Sequence, residues 1–550
     1  MECKMIHKIL ADIKTELARL LETYDLDEAP GIIIEKPKDD AHGDFATNIA
    51  LRLARPLRKN PQLIAEELAG RLDLGKLCLE KAEAASGFIN FFIDRRQLSK
   101  IVFQILSEKT AYGNLGIGKG EHINIEFVSA NPTGYLHIGH GRGAAYGDSL
   151  ARIMRKAGYR VSTEHYVNDA GNQIHNLTLS IYERYKELFG LPAQLGEDSY
   201  HGPEIIEIAE RIKEKKGDHY LSNPYYDDFR AFGLEFLLDG LKKDLREFRV
   251  EFDTWFSEQS LYDSGEVEGT LKHLQAKGYT YEKDGAVWLK TTLFGDEKDR
   301  VLVKSDGSLT YLAPDIAYHA NKLKRRFTQL IDVLGADHHG YVKRLKAAIA
   351  FLGGNPDLLD IQILQMVRAL RGGEEVKMSK RSGKAITLRD LIDEVGTDAL
   401  RFMYVEKALN THMDLDLDLA VKHSNENPVY YVQYAYARIA SVFRVSEEQN
   451  IPLLDIDEFR TLDFGKVGKL LLLLAEYPLV IEEAAEKRLP HKIPQYLLNL
   501  AAALHGYYND EKIITDDPVA TSERLALVKA VQIVIKDGLG LIGVGVKERM

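Results

Sequence analysis

The sequence predicts an α/β protein, in which a doubly wound parallel sheet follows a small α+β unit and precedes an all-helical domain. Three observations predict it. From His122 the run INIEFVSA is strand-like, a glycine-rich loop and a helical stretch to Lys156 follow, and VSTEHYV is strand-like again, which makes a β-loop-α-β unit. After a long helical stretch, strand-like runs return at AVWLKT, RVLVKS, LIDVLG and IQILQMV, and the economical reading makes them the second half of the same sheet. Beyond Thr397 the patterning is almost only helical, as in VYYVQYAYARIASVF and KLLLLLAEYPLVIEEAAE.

Taken in order, residues 1–115 open with Ile6, Ile9, Leu10, Ile13, Leu17, Leu20 and Leu21 at three- and four-residue steps, one apolar stripe of an amphipathic helix. A β-branched run, Ile32 to Ile34, reads as a short strand. The text HGDFATNIALRLARPLRKNP turns at Gly43 and becomes helical, with Arg52, Arg55, Arg58 and Lys59 on or near its polar side. A glycine-rich stretch, GNLGIGKGE, suits a linker. Residues 116–396 then hold the Rossmann-type sheet, interrupted by a helical insertion near 172–260, and residues 397–550 form the helical domain.

Length and composition limit the function. A chain of 550 residues makes about three to four folded units at roughly 150 residues each. With 72 basic and 83 acidic side chains the net charge is −11, so the whole chain is no polycation, and a nucleic-acid partner has to meet local basic patches. Cys3 and Cys78 are too far apart in sequence for a disulfide framework or a cysteine zinc site, which fits a reducing compartment. The longest glycine-free aliphatic stretch, Leu470 to Ala475, is far shorter than the roughly 18 residues of a membrane span. With no apolar leader in MECKMIHKILADIK, a soluble cytoplasmic protein is expected.

Two motifs bear chemistry. The first is His137-Ile138-Gly139-His140 at the strand-to-helix junction, where free backbone N–H groups and the helix dipole favour an anion and the two histidines share one face. Gly134, Gly139, Gly141 and Gly143 would let a nucleotide approach the backbone. The second is Lys377-Met378-Ser379-Lys380, continued by Arg381, Ser382, Gly383 and Lys384, ahead of a helix for which Thr387 and Asp390 have capping-box spacing. Cations on such a loop can neutralise charge that appears in nucleotidyl transfer.

HIGH and KMSK, in this order and 240 residues apart, resemble the motif pair of class I aminoacyl-tRNA synthetases. The longer text narrows the resemblance to arginyl-tRNA synthetase: IEFVSANPTGYLHIGHGRGAAYGD, YVNDAGNQI, KSDGSLTYLAPDIAYH, GADHHGYVKRL, VKMSKRSGKAITLRDL, HMDLDLDLA and the Asp398-Ala399-Leu400-Arg401 of the family's anticodon domain, with GDFATNIA in an N-terminal tRNA-contacting domain. By resemblance, His137, His140, Lys377 and Lys380 stabilise the transition state in which a carboxylate attacks the α-phosphate of ATP. The resemblance also implies ATP contacts at Gly134, Gly139, Gly141, Gly335, Asp337, His338, Met378 and Ser379, and an arginine pocket of Glu126, Ser129, Asn131, Tyr311 and Asp315.

Arginine as substrate makes sense of the acids, because a guanidinium is a planar, permanently charged fork of five donors. Glu126 and Asp315 are the choices for its guanidinium and α-ammonium, with the two roles left open between them. For tRNA(Arg), contacts are expected at Asn48, Arg52, Tyr430, Tyr434 and Tyr507, and at basic runs that include Lys322, Lys324, Arg325 and Arg326. Helical spacing also favours core packing for Tyr430 and Tyr434. Mg²⁺ is expected to arrive with ATP, no protein-held metal is expected, and Asp414, Asp416 and Asp418 are read as structural. A monomer is the family's default. The rivals are a small-molecule nucleotidylyltransferase, a synthetase for another amino acid and a synthetase-derived tRNA binder without catalysis.

Overall fold

The stripe of apolar residues at the start of the chain folds as the helix Met5–Leu21, which buries Ile6, Ile9, Ile13, Leu17, Leu20 and Leu21. The structure is a computed structural model and describes residues 5–222, 224–376, 378 and 386–550. Beside the first helix stands an antiparallel sheet of β1 (Phe45–Thr47), β2 (Leu79–Ala85) and β3 (Phe88–Ile93), with β3 central. The strand expected at Ile32 to Ile34 does not form, and only Glu35 bridges to Ala46. The sheet is built instead from LEKAEAA and FINFFI, the first of which is rich in helix formers that hide a strand from local propensity. Ser86 and Gly87, both at positive φ, make the two-residue turn between them. Asp44 of the GDFATNIA segment is structural, since it accepts from the Ile93 backbone (2.8 Å) and from both terminal nitrogens of Arg95 (2.6 and 2.8 Å).

The central sheet contains β4 (His122–Glu126), β5 (Arg160–Val167) and β6 (Thr254–Ser257). Next in the chain come β7 (Thr280–Lys283), β8 (Ala286–Leu289) and β9 (Arg300–Val303), then β10 (Gln329–Gly335) and β11 (Leu359–Leu364). The parallel order is β11-β10-β4-β5-β6. AVWLKT and RVLVKS do not join it: β7, β8 and β9 form their own antiparallel sheet. The reason is connection length, because a parallel neighbour needs a crossover of about a dozen residues, whereas Asp284-Gly285 at positive φ turns β7 straight into β8. The strand TWFS of β6 carries no alternation that would mark it in sequence. The insertion is helical, as expected, with helices Asn172–Glu187, Pro203–Lys216 and Tyr226–Glu247.

A further sheet holds β12 (Val367–Arg371), β13 (Glu374–Glu375) and β14 (Met413–Asp416), in which β14 returns from beyond Thr397 to lie parallel to β12. The chain past Thr397 is therefore not wholly helical. Asp414 and Asp416 share the exposed face of β14; Arg368 pairs with Asp414 at 2.8 Å, and Asp418 accepts from the Gly372 backbone at 2.6 Å. Four long helices follow, Pro428–Glu448, Phe464–Glu486, Lys492–Asp510 and Pro518–Leu541. They meet the N-terminal unit through Tyr112, whose hydroxyl donates to the Leu474 carbonyl at 2.7 Å, and through Lys36 and Glu476 at 2.7 Å.

Arg401 joins these parts. Fully buried on the helix Thr397–Glu406, it donates to the carbonyls of Ile542 (2.7 Å) and Phe248 (2.9 Å) and pairs with Asp148 of the helix Ile138–Lys156. Gly543, at φ +67°, makes room for it, because a Cβ there would lie 2.2 Å from the Arg401 Nε. Gly543→Ala is expected to displace that guanidinium at a cost of roughly 2 kcal/mol or more, read as a lowered unfolding midpoint by calorimetry.

Candidate active site

Strand order reverses at β4: the chain moves from β4 to β5 on one side and later places β10 on the other. The crevice beyond the carboxyl ends of these strands is where open α/β sheets bind ligands. It receives the loop from Phe127 to His137 and the N-terminus of the helix Ile138–Lys156. His137 caps that helix, its Nδ1 accepting from the Gly139 N–H at 3.1 Å, while the Nδ1 of His140 accepts from the His137 N–H at 3.2 Å. Each neutral ring then carries its proton on Nε2, and the rings stack with centroids 3.7 Å apart. Desolvation, and the neighbouring His137, push His140 down to about 3. Desolvation also lowers His137, opposed in part by Asp337. Both are uncharged donors at neutral pH.

Behind the crevice lies a buried row of charge. Glu126, Glu164 and Asp332 stand at matching positions on β4, β5 and β10. The helix Leu312–Lys324 and the residue after it answer them with Tyr318, His319, Lys322 and Arg325. Lys322 donates to Glu126 (2.6 Å) and Asp332 (2.9 Å), Tyr318 lies within hydrogen-bond distance of Glu126 (2.9 Å) and Glu164 (2.6 Å), and Arg325 donates to Glu164 at 2.7 Å. His319 lies 3.3 Å from Asp332. Despite desolvation, Lys322 and His319 hold Asp332 well below the usual carboxylate range, and Asp332 and Glu126 hold Lys322 above its usual value. Lys322 and Arg325 were expected on an RNA-facing rim; the structure buries Lys322 completely and gives both to carboxylates, because helical spacing turns them toward the sheet. Val128 and Ser129 both take positive φ, costly for a β-branched residue, and this turn brings the Ser129 hydroxyl back to Glu126 at 2.9 Å.

Nearer the opening lie two more acids, Asp315 and Glu258. Asp315 accepts from the Tyr341 hydroxyl, and burial raises it to about 6. Glu258, directly after β6, is 7% exposed and is pushed up to about 7 by burial and then by Asp315 and Asp169. Among the described residues, neither acid pairs with a lysine or arginine. Glu258 is absent from the sequence expectations, since an acid in a first helical turn looks like an ordinary dipole partner and only its burial marks it. Of the other expected pocket residues, Asn131 is exposed and donates to Gln173 at 2.8 Å, and Tyr311 stands 72% exposed one turn before Asp315.

Gly335, Asp337 and His338 lie where β10 runs into the turn Ala336–Tyr341, with Asp337 close enough to influence His137. Gly134 has open space around its Cα, whereas Gly141 is pressed against Leu388 and Tyr404. Lys377, Ser379 and Lys380 lie outside the described residues; Met378 is exposed. Beyond them Thr387 bridges His137, the Leu388 N–H donates to the Leu136 carbonyl at 2.7 Å, and Thr387 and Asp390 form the anticipated capping box. The segment following KMSK is thus hydrogen-bonded to HIGH itself.

Residues 7–93 match the arginyl tRNA synthetase N-terminal domain, residues 101–424 the catalytic domain of class I tRNA synthetases (R), and residues 432–550 the DALR anticodon binding domain. An arginine–tRNA ligase of Geobacillus kaustophilus is 50% identical over 530 residues, 95% of each chain. The chain belongs to the arginyl-tRNA synthetase family. A Campylobacter jejuni protein assigned as an arginyl-tRNA synthetase is 37% identical to it, with a TM-score of 0.77 over 83% of this chain and all of that one. The Thermus thermophilus arginyl-tRNA synthetase, 22% identical, shares the fold with a TM-score of 0.76 over 98% and 100% of the two chains.

For an arginyl-tRNA synthetase the remaining surfaces are those open to RNA. Tyr430 and Tyr434 are half-buried and stacked on each other at 6.1 Å, and Tyr434 continues onto His505 at 5.7 Å. Arg438 lies 4.0 Å from the Tyr508 ring. Tyr507, at 6% exposure, belongs to the core and offers no open face. Asn48 precedes the helix Ile49–Leu57, and the exposed Arg52 reaches the Gly31 carbonyl. No helix among the described residues is long and apolar enough to cross a membrane, and no three His, Cys, Asp or Glu among them converge as metal ligands. Because the Tyr341 hydrogen bond lowers Asp315, Tyr341→Phe is expected to move the Asp315 titration upward from about 6, measured by carboxyl-carbon NMR.

Proposed function

We propose that this arginine–tRNA ligase activates L-arginine in the crevice between β4 and β10 and transfers it there to the terminal ribose of tRNA(Arg). The reading rests on one observation: two desolvated carboxylates, Asp315 and Glu258, which pair with no lysine or arginine among the described residues, lie at the crevice that also receives two uncharged imidazoles at a helix N-terminus. Asp315 and Glu258 take the guanidinium, since a planar fork of donors suits acceptors not already neutralised. Glu126, with Ser129 and Asn131 beside it, receives the α-ammonium, and Tyr311 covers the rim. Lysine or citrulline would leave such acceptors unpaired, which can supply a discrimination of about 10⁴ to 10⁵ without an editing domain.

In the first step a carboxylate oxygen of arginine attacks the α-phosphorus of ATP, the bond to the bridging oxygen breaks, and pyrophosphate leaves. His137 and His140 donate from Nε2 to the phosphate oxygens, with Gly134, Gly139 and Gly141 at the nucleotide's approach and Gly335, Asp337 and His338 on its other side. Lys377 and Lys380, with Met378 and Ser379, supply cationic and polar groups to the phosphates that Mg²⁺ would accompany into the site. In the second step a ribose hydroxyl of the tRNA attacks the acyl carbon and AMP leaves. Both steps are positioning and electrostatics, with no covalent enzyme intermediate. For the anticodon stem-loop, Tyr430, Tyr434, His505, Arg438 and Tyr508 form a stacking face beside a cavity of about 490 Å³ lined by Ser441 and Ile513. Asn48 and Arg52 serve the N-terminal contact.

ATP–pyrophosphate exchange with each amino acid, with and without tRNA, tests the reading: exchange is expected with arginine alone, and exchange with another amino acid overturns the pocket. His140→Ala is expected to lose about 10² to 10³ in exchange rate while tRNA binding persists, measured by filter binding. Full exchange activity in that variant would remove the histidine's role. Asp315 and Glu258 must be ionised to hold a guanidinium, and their ordinary values are raised to about 6 and about 7. Protons therefore compete as pH falls, so the arginine KM rises below about 7, and titration calorimetry in buffers of different ionisation enthalpy shows proton release on binding.

A further inference from the structure

Glu126, Asp332 and Glu164 sit side by side on parallel strands about 4.8 Å apart. Three carboxylates so placed repel, and without counter-charges neighbours would share protons. Their burial is unequal: Glu126 is 8% exposed, against 2% for Asp332 and 0% for Glu164, so Glu126 is the one the crevice reaches. Lys322, wholly buried, spends its three donors on Glu126, on Asp332 and on the face of the Tyr318 ring, 4.5 Å away. It is the one cation among the described residues that touches Glu126.

We infer that Lys322 is a positioning residue of the arginine pocket: by donating to Glu126 and Asp332 together it cancels their repulsion and fixes the Glu126 carboxylate where the substrate's ammonium meets it. The inference rests on placing arginine in this crevice. Lys322 does not touch substrate; Ser129 donates to Oε1 of the same carboxylate, Tyr318 lies at Oε2 beside Lys322, and Lys322 supplies the charge that these hydroxyls cannot.

The test measures arginine-dependent ATP–pyrophosphate exchange in the full chain with tRNA present. Lys322→Met removes the ammonium but keeps most of the side chain's volume, and is expected to raise the arginine KM about 10- to 100-fold while the ATP KM and the maximal rate move less than about threefold. Lys322→Met combined with Asp332→Asn removes the repelling partner as well and is expected to recover most of the loss, which a packing role would not allow. A double variant no better than the single one, or arginine and ATP KM values rising together, overturns the inference. Should Lys322→Met fail to fold, Lys322→Gln takes its place: an arginine KM raised at least about tenfold with the ATP KM within about threefold supports the inference, and an unchanged arginine KM overturns it. Glu126→Gln separates the two levels. An unchanged arginine KM there sinks the pocket assignment, whereas a raised one with an unchanged KM in Lys322→Met sinks the role of Lys322 alone.

Discussion

The contact between one buried ammonium and two buried carboxylates governs the arrangement of the whole site. Lys322 lies between Glu126 and Asp332, on the two strands that flank the reversal of strand order, and so ties the helix Leu312–Lys324 to the sheet at the crevice. That helix also carries Asp315, about two turns earlier, so the same contact that neutralises the floor sets the height of the acid proposed to meet the guanidinium. A buried pair of this sort adds little net stability against an apolar replacement. Its value lies in direction, because a carboxylate held by Lys322, Tyr318 and Ser129 has one place to be.

The contrast between floor and opening is chemical as well as geometric. Asp332 and Glu164 are satisfied by cations and held low, whereas Asp315 and Glu258 are desolvated, adjacent and raised. A pocket made of the first kind alone would have no reason to take in a cation. One made of the second kind alone would have nothing to hold it rigid. The imidazoles follow the same division of labour, since the backbone N–H groups that engage each Nδ1 leave each Nε2 free to donate outward.

Most of the architecture was legible because it depends on local pattern. The stripe from Ile6 to Leu21, the β-loop-α-β unit around HIGH and the Thr387 and Asp390 cap are all signals within a few residues. What stayed hidden depends on partners distant in sequence. LEKAEAA has helical propensity and becomes a strand only against FINFFI, and AVWLKT looks equally suited to a parallel or an antiparallel neighbour until its two-residue turn is seen. In the site, Glu126 and Asp315 stood out through their motif text, but Glu258 did not, because the groups that act on it, Asp315, Asp169 and Tyr166, lie on other elements. Lys322 and Arg325 looked like surface cations for the same reason: Glu126 and Glu164 lie on strands 196 and 161 positions away, and Asp332, though ten positions from Lys322, meets it only once its strand is in the sheet.

The seating of Arg401 bears on how the molecule assembles. Its acceptors come from Asp148, Phe248 and Ile542, separated along the chain by up to hundreds of residues, and Asp398 beside it accepts from the Gly545 N–H at 2.9 Å. Loops of that length close slowly, and their entropy is lost before the contacts repay it. The guanidinium that supports the HIGH helix at Asp148 is held on its other side by the Ile542 carbonyl of the helical domain. A truncation before Ile542 would remove one of the acceptors that seat this guanidinium, so the helix bearing the nucleotide-facing histidines draws part of its support from a backbone carbonyl of the helical domain.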